Sequence, residues 1–235
     1  MAARHTVTQM PPPHTIMPLG DCALTIGFPS LEGAAARDLL GSLTDALRLR
    51  QHHAIRGLVP AIQTLTVHYE PVRSDFGALV AEIEATLASL VVAAAPRRDP
   101  VVIPVCYGGE FGPDLEVVAT NHRSTADAIV AAHVAGEYTV AMIGFLPGFP
   151  YLDGLATALH TPRRAEPRTA VPAGSVGIGG SSTGVYPFTS PGGWQIIGRT
   201  PRALFDPQRT PPALLRAGDT VRFVAITLAQ WRTHT

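Results

Sequence analysis

Along residues 14–95 the apolar positions switch between two periods. His14–Gly20 and Cys22–Phe28 read as short strands around a Gly20-Asp21 turn, which is a hairpin signal. From Leu31 onward, Ala34, Leu39, Leu40, Leu43, Ala46 and Leu47 recur at helical spacing. Val59–Tyr69 alternates again, with Ile62, Leu65, Val67 and Tyr69 set among Gln63, Thr64, Thr66 and His68. Phe76–Leu90 is amphipathic, with Phe76, Leu79, Val80, Ile83, Leu87 and Leu90 on one face and Glu82 and Glu84 on the other. The order strand, strand, helix, strand, helix predicts a small sheet with helices on one side, a ferredoxin-like α+β domain over residues 14–95.

All periodicity stops at Ala93–Pro100, so residues 96–100 are expected to form a linker. Residues 1–13, ending in Pro11-Pro12-Pro13, and residues 229–235 read as tails. Between them, over residues 101–228, lie most of the 22 glycines and 22 prolines. Short apolar runs separate them: Val101–Val105, Tyr138–Phe145, Ser175–Ile178, Trp194–Ile197 and Thr220–Ile226. One helix stands out, Ser124–Ala135, with Ser124 as the expected N-cap and Asp127 in its first turn. Many short strands with Gly/Pro turns predict a closed or sandwiched β domain.

Charge narrows the chemistry. The chain has 18 basic and 18 acidic side chains in 235 residues, so no basic surplus marks a nucleic-acid partner. Every basic residue is arginine. The absence of lysine excludes a Schiff base, a P-loop lysine and a biotinyl-lysine within this chain. No apolar run approaches the roughly 18–20 residues of a membrane span. Two cysteines, Cys22 and Cys106, are too few for a disulfide framework or a zinc site, and a reduced cytoplasmic setting is expected. No Gly-x-Ser-x-Gly elbow or His-Glu-x-x-His pattern occurs, which disfavours a self-contained hydrolase or metalloenzyme.

The most informative segments lie in the second half. They are Tyr107-Gly108-Gly109-Glu110-Phe111-Gly112-Pro113-Asp114-Leu115 and Gly144-Phe145-Leu146-Pro147-Gly148-Phe149-Pro150-Tyr151-Leu152, then Pro162-Arg163-Arg164, Pro167-Arg168, Val171–Val176 and Ser190-Pro191-Gly192-Gly193-Trp194. In this order they resemble the 5-oxoprolinase B-subunit family, also called allophanate hydrolase subunit 1, which includes the KipI-type inhibitors of sporulation histidine kinases. The likeness runs from Leu19-Gly20-Asp21 to Gly218-Asp219. It implies a cyclophilin-like β-barrel behind the α+β domain. It also implies two partners, a cyclophilin-like C subunit with an A-subunit hydrolase, the assembly opening 5-oxoproline to glutamate. ATP would be handled by a partner, with no cofactor or metal bound by this chain and no activity in the chain alone. Two alternatives stay open: docking to a histidine kinase, and a carboxyltransferase half-site visited by biotin on a partner's lysine.

Several residues carry candidate chemistry. Glu110 and Asp114 flank a Gly-Pro turn, either capping it or presenting a carboxylate at a groove rim. His133 ends the one helix, as a core residue or as a general base, and it matches the family's recurring histidine. Arg163, Arg164 and Arg168 form a solvated loop or capture a carboxylate. Phe145, Phe149, Tyr151 and Trp194 read as a groove wall, an interface or core. The glycines of Gly174–Gly184 lack phosphate-cradle spacing and read as tight barrel turns. Strand closure brings loops together at one end of a barrel, so Asp114, His133, Phe149, Arg168 and Trp194 are expected to converge. In that site Phe149 and Trp194 form the wall, Arg168 meets a carboxylate, Asp114 accepts from an amide N–H and His133 exchanges a proton. Arg163 and Glu110 are further substrate-binding candidates.

Overall fold

The computed structural model describes residues 11–93 and 98–234. The chain divides into two compact units, residues 1–96 and 97–235. Most of the expected N-terminal tail and the start of the expected linker lie outside the described residues.

The first unit is an antiparallel sheet carrying two helices. In chain order it comprises β1 (Thr15–Pro18), β2 (Ala23–Gly27), α1 (Gly33–Arg50), β3 (Ile55–Pro60), β4 (Thr64–Tyr69) and α2 (Phe76–Ala88). The sheet order is β1-β2-β4-β3. Alternation turns Leu24, Ile26, Leu65 and Val67 to one face, where they pack against Leu39, Leu43 and Leu47 of α1 and Leu79 and Ile83 of α2. The single strand expected over 59–69 is the second arm of a hairpin. Ile55–Pro60 forms the first arm, and the Ala61 N–H returns to the Thr64 carbonyl across the turn. No Asn-Gly or Asp-Gly marks that turn, so the alternation ran through it unbroken.

The second unit is a closed barrel. Its strands are β5 (Val101–Tyr107), β6 (Tyr138–Ile143), β7 (Pro150–Asp153), β8 (Arg168–Val171), β9 (Ser175–Gly179), β10 (Ser182–Val185), β11 (Ser190–Gly192), β12 (Gln195–Arg199) and β13 (Thr220–Ala225). Seven of them close in the order β10-β7-β6-β13-β5-β12-β9, while β8 and β11 form a separate two-stranded ribbon. β5 and β13 pair in parallel, Val221 opposite Val101 through Ala225 opposite Val105. The first and last strands of the unit thereby sit side by side. The barrel core gathers Ile103, Val105, Val140, Ile178 and Phe223 with Val118 and Ile129 from two helices, α3 (Leu115–Asn121) and α4 (Ala126–Ala135).

Three local expectations are corrected. Residues 115–121 are helical, where Ser124–Ala135 was the one helix expected in this half of the chain. α4 is capped by Thr125, whose hydroxyl accepts from the Ala128 N–H, and not by Ser124. Residues 229–234, expected as part of a tail, belong to helix α5 (Leu228–His234). It begins with a capping box. The Thr227 hydroxyl accepts from the Gln230 N–H, and the Gln230 carboxamide oxygen accepts from the Thr227 N–H at 2.8 Å. Trp231 then packs at a tilt against Phe111 of the barrel unit, with ring centroids 4.6 Å apart.

Candidate functional site

The wall formed by β9, β10 and β12 has two unlike faces. Val176, Ile178, Thr183 and Val185 turn inward, the three apolar ones into the barrel core. Gly177, Gly179 and Gly184, between them in the alternation, turn outward. Added β-carbons show why these positions are glycine. A Cβ on Gly179 would lie 2.5 Å from the Trp194 indole nitrogen, and one on Gly184 would lie 3.1 Å from the same ring. The glycine run is therefore a bare shelf on which an indole lies flat, as well as a set of turns such as Gly180, φ +68°.

On this shelf sits a second apolar cluster: Phe149, Val171, Tyr186, Trp194 and Ile196, with Leu146 and Tyr151 packed against it. The rings meet edge to face, Phe149 with Trp194 at 5.5 Å and Phe149 with Tyr186 at 5.1 Å. Phe145 caps the cluster, 5.5 Å from Phe149 and 59% exposed, with φ +66°. A bulky residue in the left-handed region is strained, and such strain concentrates at functional positions. Burial raises the Tyr186 hydroxyl pKa; the Trp194 backbone N–H and the Arg163 and Arg168 charges oppose that rise.

Beside the shelf lies an ion cluster. Asp114 is buried at the start of α3. Its carboxylate accepts two hydrogen bonds from Arg168 at 2.7 and 2.8 Å, one from Arg164 at 3.1 Å and one from the Ile196 N–H at 2.7 Å. Both oxygens are therefore fully engaged, and α3 is pinned to β12. This changes the roles expected of Asp114 and Arg168. Each is the other's partner, so Asp114 has no free lone pair aimed at an amide and the Arg168 fork is already filled by a carboxylate. Arg164 also belongs to the cluster.

His133 does not join these residues. It is fully buried on the inner side of the wall. The Thr183 hydroxyl donates to the Gly177 carbonyl, so His133 Nε2–H donates to Thr183 Oγ1 at 3.1 Å. Nδ1 then accepts from the Tyr107 hydroxyl at 2.8 Å. Burial pushes the His133 pKa down to about 3. The expectation of a proton-exchanging histidine at the groove is thus corrected. The ring is neutral, both nitrogens are engaged, and one layer of strand separates it from Trp194. Glu110 also stands apart, exposed on the turn after β5, where its charge adds to burial in raising the Cys106 thiol. Of the expected site residues, the structure gathers Asp114, Phe149, Arg163, Arg168 and Trp194. Sequence reasoning missed Tyr186 and Gln195, whose only signal was their place beside the shelf glycines and Trp194. Among the described residues no three His, Cys, Asp or Glu side chains gather as metal ligands.

Comparison with known proteins bears on both units. Residues 14–215 match the family of the carboxyltransferase domain, subdomains C and D. The chain is 42% identical to the B subunit of 5-oxoprolinase from Bacillus subtilis strain 168, covering 94% of this chain and 96% of that one. It is 47% identical to the B subunit of 5-oxoprolinase from Haemophilus influenzae, covering 89% and 96%. The chain belongs to the 5-oxoprolinase B-subunit family. The crystal structure of Kluyveromyces lactis urea carboxylase shares the fold of this family member. It has a TM-score of 0.78 over 99% of this chain and 23% of that longer one, at 17% identity. Among the described residues no helix is long and apolar enough to cross a membrane.

Proposed function

We propose that the chain is the B subunit of a cytoplasmic, ATP-dependent 5-oxoprolinase that opens 5-oxoproline to glutamate. It acts with a cyclophilin-like C-type partner and with an A-type hydrolase that handles ATP. One observation carries this reading: the likeness to two proteins named as that subunit extends over both compact units of the chain. The geometry agrees with a contributed half-site. An aromatic shelf with cationic groups at its edge suits a small anionic amide. The buried acid and the buried histidine are both engaged within the fold and serve to hold it.

The test is reconstitution. The purified chain, mixed with its A-type and C-type partners, should co-elute with the C-type partner and yield glutamate from 5-oxoproline and ATP, whereas the single chain should yield none. Glutamate from the single chain, or none from the full set, overturns the reading. Inhibition of a histidine kinase, or carboxylation of a urea-type amide through a partner's biotin, is the result that would replace it.

A further inference from the structure

Three arginines stand within six residues, and the structure separates their roles. Arg168 gives its fork to Asp114. Arg164 bonds the same carboxylate and the Glu166 backbone oxygen. Arg163 has no ion pair or hydrogen bond among the described residues. Its guanidinium is exposed and lies 6.0 Å from the centre of the Trp194 ring. That position is held from below. The Arg164 N–H donates to the Gly193 carbonyl at 2.7 Å, and Gln195 Nε2 donates to the Pro162 carbonyl at 3.1 Å. The Pro162–Arg164 strap is thus fastened on both sides of Arg163. The ring face restrains a guanidinium that would otherwise wander in solvent.

Charge points the same way. The single Asp114 carboxylate is shared by Arg164 and Arg168, so the cluster keeps one positive charge before Arg163 is counted. Glu166 offers Arg164 only a backbone oxygen. A further polar group is also half engaged. Gln195 is 7% exposed, and its Oε1 is buried with no hydrogen-bond partner. Flipping the carboxamide would set that oxygen against the Pro162 oxygen, so the orphan is an acceptor that wants an N–H or water donor.

We propose that Arg163 is the carboxylate receptor of this site, selecting a small planar amide acid whose apolar edge meets Tyr151 beside Trp194. The inference rests on the 5-oxoprolinase reading and names the residue that sets its substrate class. The free arginine presented on an aromatic face does what the sequence pattern first ascribed to Arg168.

The test uses the assembled three-component enzyme. Arg163→Ala should raise KM for 5-oxoproline about 10- to 100-fold, as loss of a charge-assisted hydrogen bond does, with a much smaller change in kcat. Arg163→Lys should recover part of that loss. The preference for 5-oxoproline over its uncharged carboxamide should collapse in Arg163→Ala. Unchanged KM and unchanged preference in a normally assembled Arg163→Ala enzyme overturn the inference and leave the 5-oxoprolinase reading intact. Loss of co-elution with the C-type partner in Arg163→Ala also overturns it, because Arg163 would then be an interface residue. A wild-type assembly that makes no glutamate overturns the 5-oxoprolinase reading itself.

Discussion

The two faces of one barrel wall both bury polar groups, and they do so in opposite ways. Inside, His133, Thr183 and Tyr107 form a neutral chain in which every donor has one acceptor. Outside, Asp114 is ionised and held by two arginines whose heads remain partly in solvent. The difference follows from solvation. A dry interior tolerates a polar group only when it is uncharged and satisfied. A charge can be buried when its counter-charges reach water and every lone pair is filled. Chemistry that needs charge therefore belongs to the outer face, where the aromatic shelf and Arg163 lie.

The sharpest way to break this contrast is Asp114→Ala. It removes four hydrogen bonds and leaves the Ile196 N–H and the Arg168 head uncompensated. Removing one partner of a buried pair costs about 3–5 kcal/mol, and the partial exposure of Arg168 places the expected loss at about 3. Urea unfolding measures it. A loss under about 1 kcal/mol would mean the cluster does not hold α3 to the barrel.

The legibility of these two regions differed for physical reasons. The amphipathic stretches that became α1 and α2 were plain because their apolar residues recur at helical spacing over several turns, whereas α4, apolar nearly all round, was marked by the polar residues at its start. α3 was hidden, since seven residues after a proline give too short a pattern to outweigh turn chemistry. α5 carried a signal in Thr227 and Gln230 that a reading fixed on apolar runs passed over. At the candidate site the residue types were legible but their pairing was not. Arg168 and Asp114 each looked like a ligand-binding group because sequence alone does not show that they bind one another. His133 sits on the far side of a strand because α4 packs that face into the barrel interior, against Tyr138 and Phe223, and the sequence does not mark which face of an almost wholly apolar helix is buried. The glycines looked like turn residues, whereas Gly179 and Gly184 are bare because an indole lies over them, and Gly177 because Ile196 and the Trp194 β-carbon do.

A second test sharpens the contrast by pH. The His133 pKa is lowered in the folded protein, from 6.5 to about 3. Between those values the unfolded chain binds more protons, so stability rises with pH across that window and falls on acidification from 6.5 toward 3. The maximum slope is about 1.4 kcal/mol per pH unit, so His133 alone should remove about 2 kcal/mol between pH 7 and pH 5. In His133→Gln that component should vanish. Urea midpoints of both proteins at the two pH values give the comparison, and parallel losses would show that the ring is not buried neutral.

The smallest effect separates the two arginines that share Asp114. Arg168 makes two short bonds to the carboxylate, while Arg164 makes one at 3.1 Å with its side chain a third exposed. An exposed ion pair is screened and contributes roughly 0–1 kcal/mol. Arg164→Ala should therefore cost about 0.5–1 kcal/mol, since Arg168 and the Ile196 N–H still occupy both oxygens of Asp114. Arg168→Ala should cost roughly 2 kcal/mol, because a buried carboxylate loses both bonds of its fork. The two residues contact the same acid, so their effects should not add. Each single loss leaves one counter-charge in place, and the double replacement leaves none. A double-mutant cycle on unfolding free energies should accordingly show the pair costing more than the sum of its singles. Strict additivity would mean that Arg164 is bound to Asp114 in name only, and the outer cluster would then reduce to a single Asp114–Arg168 pair.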